Sequence, residues 1–238
     1  MQNIMSIAGR QFRSYFNGPV AYITAALVLL FVGLLVWSTF FLSNKATASE
    51  VFTWFGIAMV FAAPALTMGL IAEERHSGTL ELLLTMPVKE SEVILGKYLG
   101  AFGLFVVVVA LTIINPIAIS TLGDLDWGTV FTGYLGLILQ GASMLAIGMM
   151  ASSLAENQLV AFFISFFFLA FFGWVAPLVL GFLSTGFWAT FFQVVSLQGH
   201  LESMTRGVIA LSDVLFFLSL TIFGLLVAFR GLEKRRWS

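Results

Sequence analysis

The chain has 238 residues, of which 60% are hydrophobic and 10% charged, with a mean hydropathy of +1.02 and a net charge of -1. Soluble domains hold roughly 45–50% apolar and about 25% charged residues, so a water-solvated core is excluded and the solvent for most of this chain is lipid. The small net charge excludes bulk attraction to nucleic acid, and the absence of cysteine excludes disulfides and thiolate metal sites.

Residues 3–16 carry Ile4, Ile7, Ala8, Phe12, Tyr15 and Phe16 at helical spacing, with Arg10, Gln11, Arg13 and Ser14 between them. This predicts an amphipathic elbow helix in the membrane interface, with its basic residues among the headgroups. The other reading is a polar tail, which does not account for the regular spacing. No basic stretch leads into a short apolar core with a small-residue cleavage site, so no cleaved signal peptide is expected. Asn17-Gly18-Pro19 ends the helix and turns the chain.

Six apolar runs follow, at about 20–42, 51–72, 98–122, 128–154, 159–183 and 214–230, and none contains an internal Asp, Glu, Lys or Arg. A span needs roughly 17–25 residues. Backbone groups in hydrocarbon must be paired within their own segment, so these are helices. The alternation that a β-barrel requires is missing. The fold class expected is therefore an all-α membrane protein of six transmembrane helices, one domain over 1–238, with no room for a soluble catalytic domain.

With both termini inside, the inner segments hold nine of the Lys and Arg residues and the outer segments hold Lys45 and Arg206. The positive-inside rule then gives N-in, C-in topology. Residues 184–213 contain Phe187, Trp188, Phe191, Phe192, Val194, Val195 and Leu197, too oily for a free loop, and Gly186 and Gly199 are expected to break them. A re-entrant or interfacial pair of short helices before the sixth span fits them. A longer fifth helix, running from 159 to 197, would far exceed one crossing.

Chemistry is sparse. His76 and His200 fall on opposite sides and cannot share a metal, and no HExxH, Walker loop or intramembrane carboxylate pair is present. An intramembrane enzyme is therefore disfavoured. Ion-driven transporters carry ionisable groups inside their spans, so any work done here must be powered by a partner. Asn115-Pro116 is expected to kink the third span, and Gln140 to hydrogen-bond across helices for roughly 1 kcal/mol. These polar residues, with Pro64, Ser143 and Pro177, read as helix packing before a substrate path. The phenylalanines from Phe162 to Phe172 circle their helix and are expected to meet lipid and neighbouring helices.

The densest polar island lies between the second and third runs. Glu73, Glu74, Arg75, Glu81, Lys89 and Glu90 can carry charge, yet Leu80, Leu82, Leu83 and Leu84 form an apolar ridge within it. A solvated loop has no use for four leucines, and a span cannot accept Glu-Glu-Arg. A short amphipathic helix offered to another protein remains. Ser77 and Thr79 are candidates to cap its start, Gly78 permits a tight turn, and Met86-Pro87 closes it after about two turns.

Glu-Glu-Arg-x-x-Gly-Thr-Leu-Glu-Leu-Leu-Leu-Thr-x-Pro, followed by Lys-Tyr-Leu-Gly into the next span, resembles the signature of ABC-2-type exporter permeases, most of all the gliding-motility and multicopper-maturation branch of bacterial six-helix permeases. The resemblance covers nearly the whole chain. It implies that the island is a coupling helix docked on a cytoplasmic ABC ATPase. Gly78, Thr79, Leu80, Glu81, Leu83, Leu84 and Pro87 would form the docking element, and Glu73, Glu74 and Arg75 a polar hinge beneath span two. It further implies a bacterial inner-membrane location and a second permease copy, giving a homodimer. ATP and Mg would be bound only by the partner ATPase, and a membrane partner with a large extracytoplasmic domain would complete the system. The substrate is not chosen by the resemblance. A membrane scaffold or regulator that anchors an ATPase without transport is the alternative.

Overall fold

The computed structural model describes residues 2–43, 47–79, 89–182 and 186–236. Every element among them is helical: α1 (Gln2–Asn17), α2 (Pro19–Ser43), α3 (Ser49–Thr67), α4 (Ala72–His76), α5 (Glu90–Leu111), α6 (Ile114–Ser120), α7 (Trp127–Leu154), α8 (Gln158–Ala170), a π-helical turn (Phe171–Val175), α9 (Ala176–Phe182), α10 (Phe187–Val195), α11 (Leu197–Thr205) and α12 (Leu211–Arg236). Six segments are long and apolar enough to cross a membrane: Pro19–Leu42, Ser49–His76, Glu90–Ser120, Trp127–Leu154, Gln158–Val179 and Leu211–Glu233. The all-α, six-helix reading of the sequence is met.

The elbow helix α1 does more than lie on a surface. Gly96, Gly100 and Gly103 of α5 form a trough into which α1 settles: a Cβ on Gly96 would stand 2.7 Å from the Ile7 Cβ, and one on Gly100 would stand 2.6 Å from the Gln11 Cβ. Small residues at helix contacts let backbones approach in lipid, where no hydrophobic drive pulls helices together. The Tyr15 hydroxyl donates to the Leu66 carbonyl at 2.5 Å, which fixes the elbow to α3, and burial pushes the phenol pKa above its ordinary value. Arg10 and Arg13 stay exposed.

Helix α7 is the axis of the bundle. Its Gly141 holds the ring of Phe105 and its Gly148 holds Thr67, with positions for a Cβ only 2.0 Å from those side chains. Gly224 of α12 lies against the main chain of Ala146, its Cβ position 2.8 Å from that residue's carbonyl carbon and oxygen. The core built around these contacts includes Phe52, Phe55, Phe105, Met144, Leu145 and Phe217, all nearly inaccessible.

Two prolines shape the spans. Pro116 supplies no N–H for the carbonyl of Thr112, and that carbonyl is taken instead by the Asn115 backbone N–H at 2.9 Å and its side-chain Nδ2 at 3.2 Å. The helix breaks there into α5 and α6, the kink that the sequence predicts. Pro177 cannot donate to Gly173, and the chain widens into a π turn in which the Ala176 N–H reaches the Phe171 carbonyl.

Four expectations need correction. The third span begins at Glu90, eight residues before the sequence placed it, so Lys97 lies within the helix and is buried. The sixth begins at Leu211 and brings Asp213, also buried, inside its first turn. The hydropathy runs miss both residues because each charge depresses the local average, while the partner that each one meets lies on another helix. The second span is not one unbroken helix: α3 ends at Thr67 and the chain turns through 68–71 before α4, all within Ser49–His76. Finally, Gly199 does not break the outer segment; it sits inside α11, and the hairpin bends at Ser196, whose hydroxyl accepts the Gly199 N–H at 3.1 Å. Gly186, with φ of 119°, does break the chain as expected.

Candidate coupling site at the loop-bearing rim

Glu73, Glu74 and Arg75 all fall on α4, a single turn and a half beyond the end of the second span. Such a short helix cannot hold itself, and its fixed position comes from three neighbours. Ser152 of α7 is the first. Its hydroxyl accepts the N–H groups of Ile71 at 3.0 Å and Ala72 at 3.1 Å, and donates to the Met68 carbonyl at 3.0 Å. A helix start leaves N–H groups without partners, and here a side chain from another span serves as the cap.

Lys97 of α5 is the second. Its ammonium donates to the Leu70 carbonyl at 2.5 Å and pairs with the Glu74 Oε1 at 2.6 Å. The lysine side chain is 5% exposed and the glutamate 26%, so the pair is shielded from water. A buried charge persists only when paired and hydrogen-bonded. The second oxygen, Glu74 Oε2, is buried without a partner.

Arg75 supplies the third tie. Its guanidinium donates to the Ala155 carbonyl at 2.6 Å and to the Glu156 carboxylate at 3.2 Å, bridging α4 to the turn between α7 and α8. The hinge is thereby joined to spans three, four and five at once. Beyond it, Gly78 adopts φ of 71°, the left-handed conformation that glycine accepts without strain. The hydroxyls of Ser77 and Thr79 both donate back to the Glu74 carbonyl at 3.3 Å, closing α4 behind them; the helix start that they were expected to cap lies outside the described residues. Leu80, Glu81, Leu83, Leu84 and Pro87 lie outside the described residues. The chain resumes at Lys89, whose N–H is accepted at 3.1 Å by Glu92, a residue that also accepts from Asn3 of the elbow at 3.2 Å.

The sequence singled out the three α4 residues but not Lys97 or Ser152. Lys97 had a partial signal: a lysine followed directly by an apolar run must find an anion, but Glu81, Glu90 and Glu92 lie nearer to it in the chain than Glu74 does, so the sequence did not choose the partner. Ser152 had none, since a serine in a small-residue stretch looks like packing.

Elsewhere the polar residues pack rather than react. His200, Asp213 and Ser203 cluster at the opposite rim: the His200 Nδ1 meets Asp213 Oδ1 at 2.7 Å, its Nε2 meets the Val194 carbonyl at 2.9 Å, and the Ser203 hydroxyl donates to Asp213 Oδ2. A serine nucleophile requires its hydroxyl on the histidine; here it lies on the carboxylate, and the cluster clips the outer hairpin to α12. Gln140 does not make the cross-helix bond expected of its amide nitrogen; Nε2 is buried without a partner, and Oε1 stands against Gly56. Among the described residues, no group of His, Cys, Asp and Glu could hold a metal ion.

An N-terminal helix packed along the third span, six lipid-length helices, a polar turn clamped after the second and a helical hairpin before the sixth define a multi-pass membrane protein. The family described as ABC-2 family transporter protein matches residues 38–204, well over half of the chain. The chain belongs to that family and is a membrane permease subunit of an ABC transporter. No curated protein matches it closely enough to be paired with it.

Proposed function

We propose that the chain is the transmembrane half of an ATP-driven exporter or envelope-component extractor, powered by a separate cytoplasmic ATPase that docks on residues 73–87. The observation that carries this reading is the three-way clamp on α4. Ser152, Lys97 and the Arg75 bridge tie the start of that loop to spans three and four and to the turn before span five, so a force that reaches α4 is passed to the bundle. Docking itself falls to Gly78, Thr79, Leu80, Glu81, Leu83, Leu84 and Pro87, with Glu73, Glu74 and Arg75 as the hinge.

In this reading the whole chain acts as one transmembrane unit with N-in, C-in topology in a bacterial inner membrane. The positive-inside count supports the orientation. Two copies assemble with two ATPase subunits. The chain needs no cofactor; ATP and Mg are the partner's. The groove of spans one, two and five opens and closes as the ATPases pair. A further membrane partner with a large extracytoplasmic domain fits the gliding-motility and multicopper-maturation resemblance.

The test is to replace Leu83 and Leu84 by Asp, then recover the complex with its cognate ATPase. Loss of recovery and of permease-stimulated hydrolysis is expected, with the variant still inserted and folded. Full recovery with full stimulation refutes docking at this loop and leaves the ATPase anchored elsewhere.

A further inference from the structure

Both ring nitrogens of His200 face oxygen acceptors. Nδ1 lies 2.7 Å from Asp213 Oδ1 of α12, and Nε2 lies 2.9 Å from the Val194 carbonyl of α10. Each contact needs a proton. Nε2 must carry one to donate to a carbonyl, and the gap between Nδ1 and Oδ1 must hold another, whichever of the two atoms owns it. The ring and the carboxylate therefore hold two protons between them in this arrangement, whereas a neutral imidazole beside an ionised carboxylate holds one. The surroundings favour the extra proton. Asp213 is buried in the first turn of α12, where an anion is stabilised and still needs a partner. Val194 belongs to the last turn of α10, whose carbonyls lack helical partners and attract a cation. The ring also stacks on Phe216 with centroids 4.1 Å apart, a place where the phenyl face attracts a cation.

Among the described residues, Asp213 is the one titratable group bonded to this ring. The other charged groups of the elements packed against α11 are engaged elsewhere or make no bond to it. Glu202 pairs with Arg206 on α11 itself, and Arg230 with Glu233 at the far end of α12. Asp126 caps α7, and the Tyr134 hydroxyl meets that of Thr112. No hydrogen bond or ion pair joins Glu50 of α3 or Asp124 to the ring. The two arms of the hairpin are held differently. α11 buries Leu197, Leu201 and Met204, whereas none of the α10 side chains is buried.

We propose that His200 is a proton-operated latch on this hairpin. With both protons present it ties α10 to α11 and, through Asp213, to the sixth span. Loss of one leaves the other beside the buried carboxylate, and Nε2 then turns a lone pair toward the Val194 oxygen that it can no longer bond. α10 is released while α11 keeps its packing. The latched arrangement binds more protons than the released one, so it holds in acid and loosens as pH rises. The latch acts at the rim opposite residues 73–87 and stands whether or not they dock an ATPase.

The test is amide hydrogen exchange of the full-length protein in nanodiscs at about pH 5 and about pH 8, the range over which a histidine ordinarily changes charge, with each rate corrected for the intrinsic pH dependence of exchange. Exchange over residues 187–195 is expected to be about ten-fold faster at the higher pH, as loss of one charge-assisted hydrogen bond allows, while 197–205 and α7 keep their rates. His200→Gln is neutral at both pH values, and its 187–195 segment should exchange at the faster rate throughout. His76→Gln, at an exposed position, should leave the wild-type response intact. An unchanged 187–195 rate in the wild type overturns the proposal. So does a response that survives His200→Gln, disappears in His76→Gln, or extends equally to 197–205 and α7. Should His200→Gln fail to fold, NMR of the His76→Gln protein, which has a single imidazole, follows the charge of His200 directly. The ring must then lose its proton over the pH range in which 187–195 accelerates, and a ring whose charge stays constant across that range overturns the proposal.

Discussion

The Lys97 ammonium and the Glu74 carboxylate meet at 2.6 Å across the gap between the third span and the turn after the second, with the lysine side chain 5% exposed and the glutamate 26%. Removing one member of such a pair leaves the other charge buried and costs about 3–5 kcal/mol. Lys97→Met and Glu74→Gln are each expected to lower the melting temperature sharply, as followed by loss of the monodisperse peak on heating. The double variant recovers a large part of the loss, since no lone charge remains. A double variant no more stable than the worse single would show that the two residues act independently.

Gly148 makes a second, purely steric prediction. A methyl group added there would stand 2.0 Å from the Thr67 hydroxyl and 2.8 Å from its Cβ. Thr67 is fully buried and its hydroxyl donates to the Ala63 carbonyl at 2.6 Å, so it cannot rotate away freely. Gly148→Ala should cost about 1–3 kcal/mol through overpacking. Thr67→Ala in the same chain should return part of it. Thermal unfolding of the four variants as a double-mutant cycle measures the coupling.

At the opposite rim, Asp213 accepts from both His200 and Ser203 while being almost wholly buried. Asp213→Ala removes the carboxylate that two partly buried groups share, at a cost of about 1–3 kcal/mol in all. The hairpin they hold, not the bundle, should respond first. Amide hydrogen exchange over residues 197–205 is expected to accelerate in the variant while exchange in α7 stays at its wild-type rate. Equal acceleration in both would mean that Asp213 supports the whole fold.

Pro177 governs the direction in which Trp174 points. With the proline's missing N–H restored by Pro177→Ala, the π turn can rewind to an α-helix, and losing one residue from a turn rotates the preceding segment by about 100°. Trp174 would then leave the apolar cavity it lines. In a chain where Trp174 is the single tryptophan, its emission maximum and quenching by brominated lipid should both change. Identical spectra would show that packing against Phe61 and Phe166 fixes the indole without help from the proline.

The large features of this fold are written in hydropathy. Six helices of membrane length, an N-terminal helix and an oily pair of short helices before the sixth follow from segment length and from the cost of an unpaired backbone in lipid. The boundaries fail where a charge is neutralised from afar. Lys97 and Asp213 read as loop residues because their partners, 23 and 13 positions away, are invisible to a local average. Glu73, Glu74 and Arg75 were legible as the end of an apolar run because three adjacent charges cannot enter hydrocarbon. Ser152 was not, because a hydroxyl's value here lies in three main-chain groups that converge on it only after folding. The glycine trough of α5 was hidden for a related reason: its spacing is visible, but what fills it belongs to another helix.

The contact between Gly224 and the main chain of Ala146 has a mechanical corollary. Side chains yield by changing rotamer, whereas two backbones in contact can part only as whole helices. Spans four and six are therefore expected to move as one rigid unit, separating only by the displacement of a whole helix.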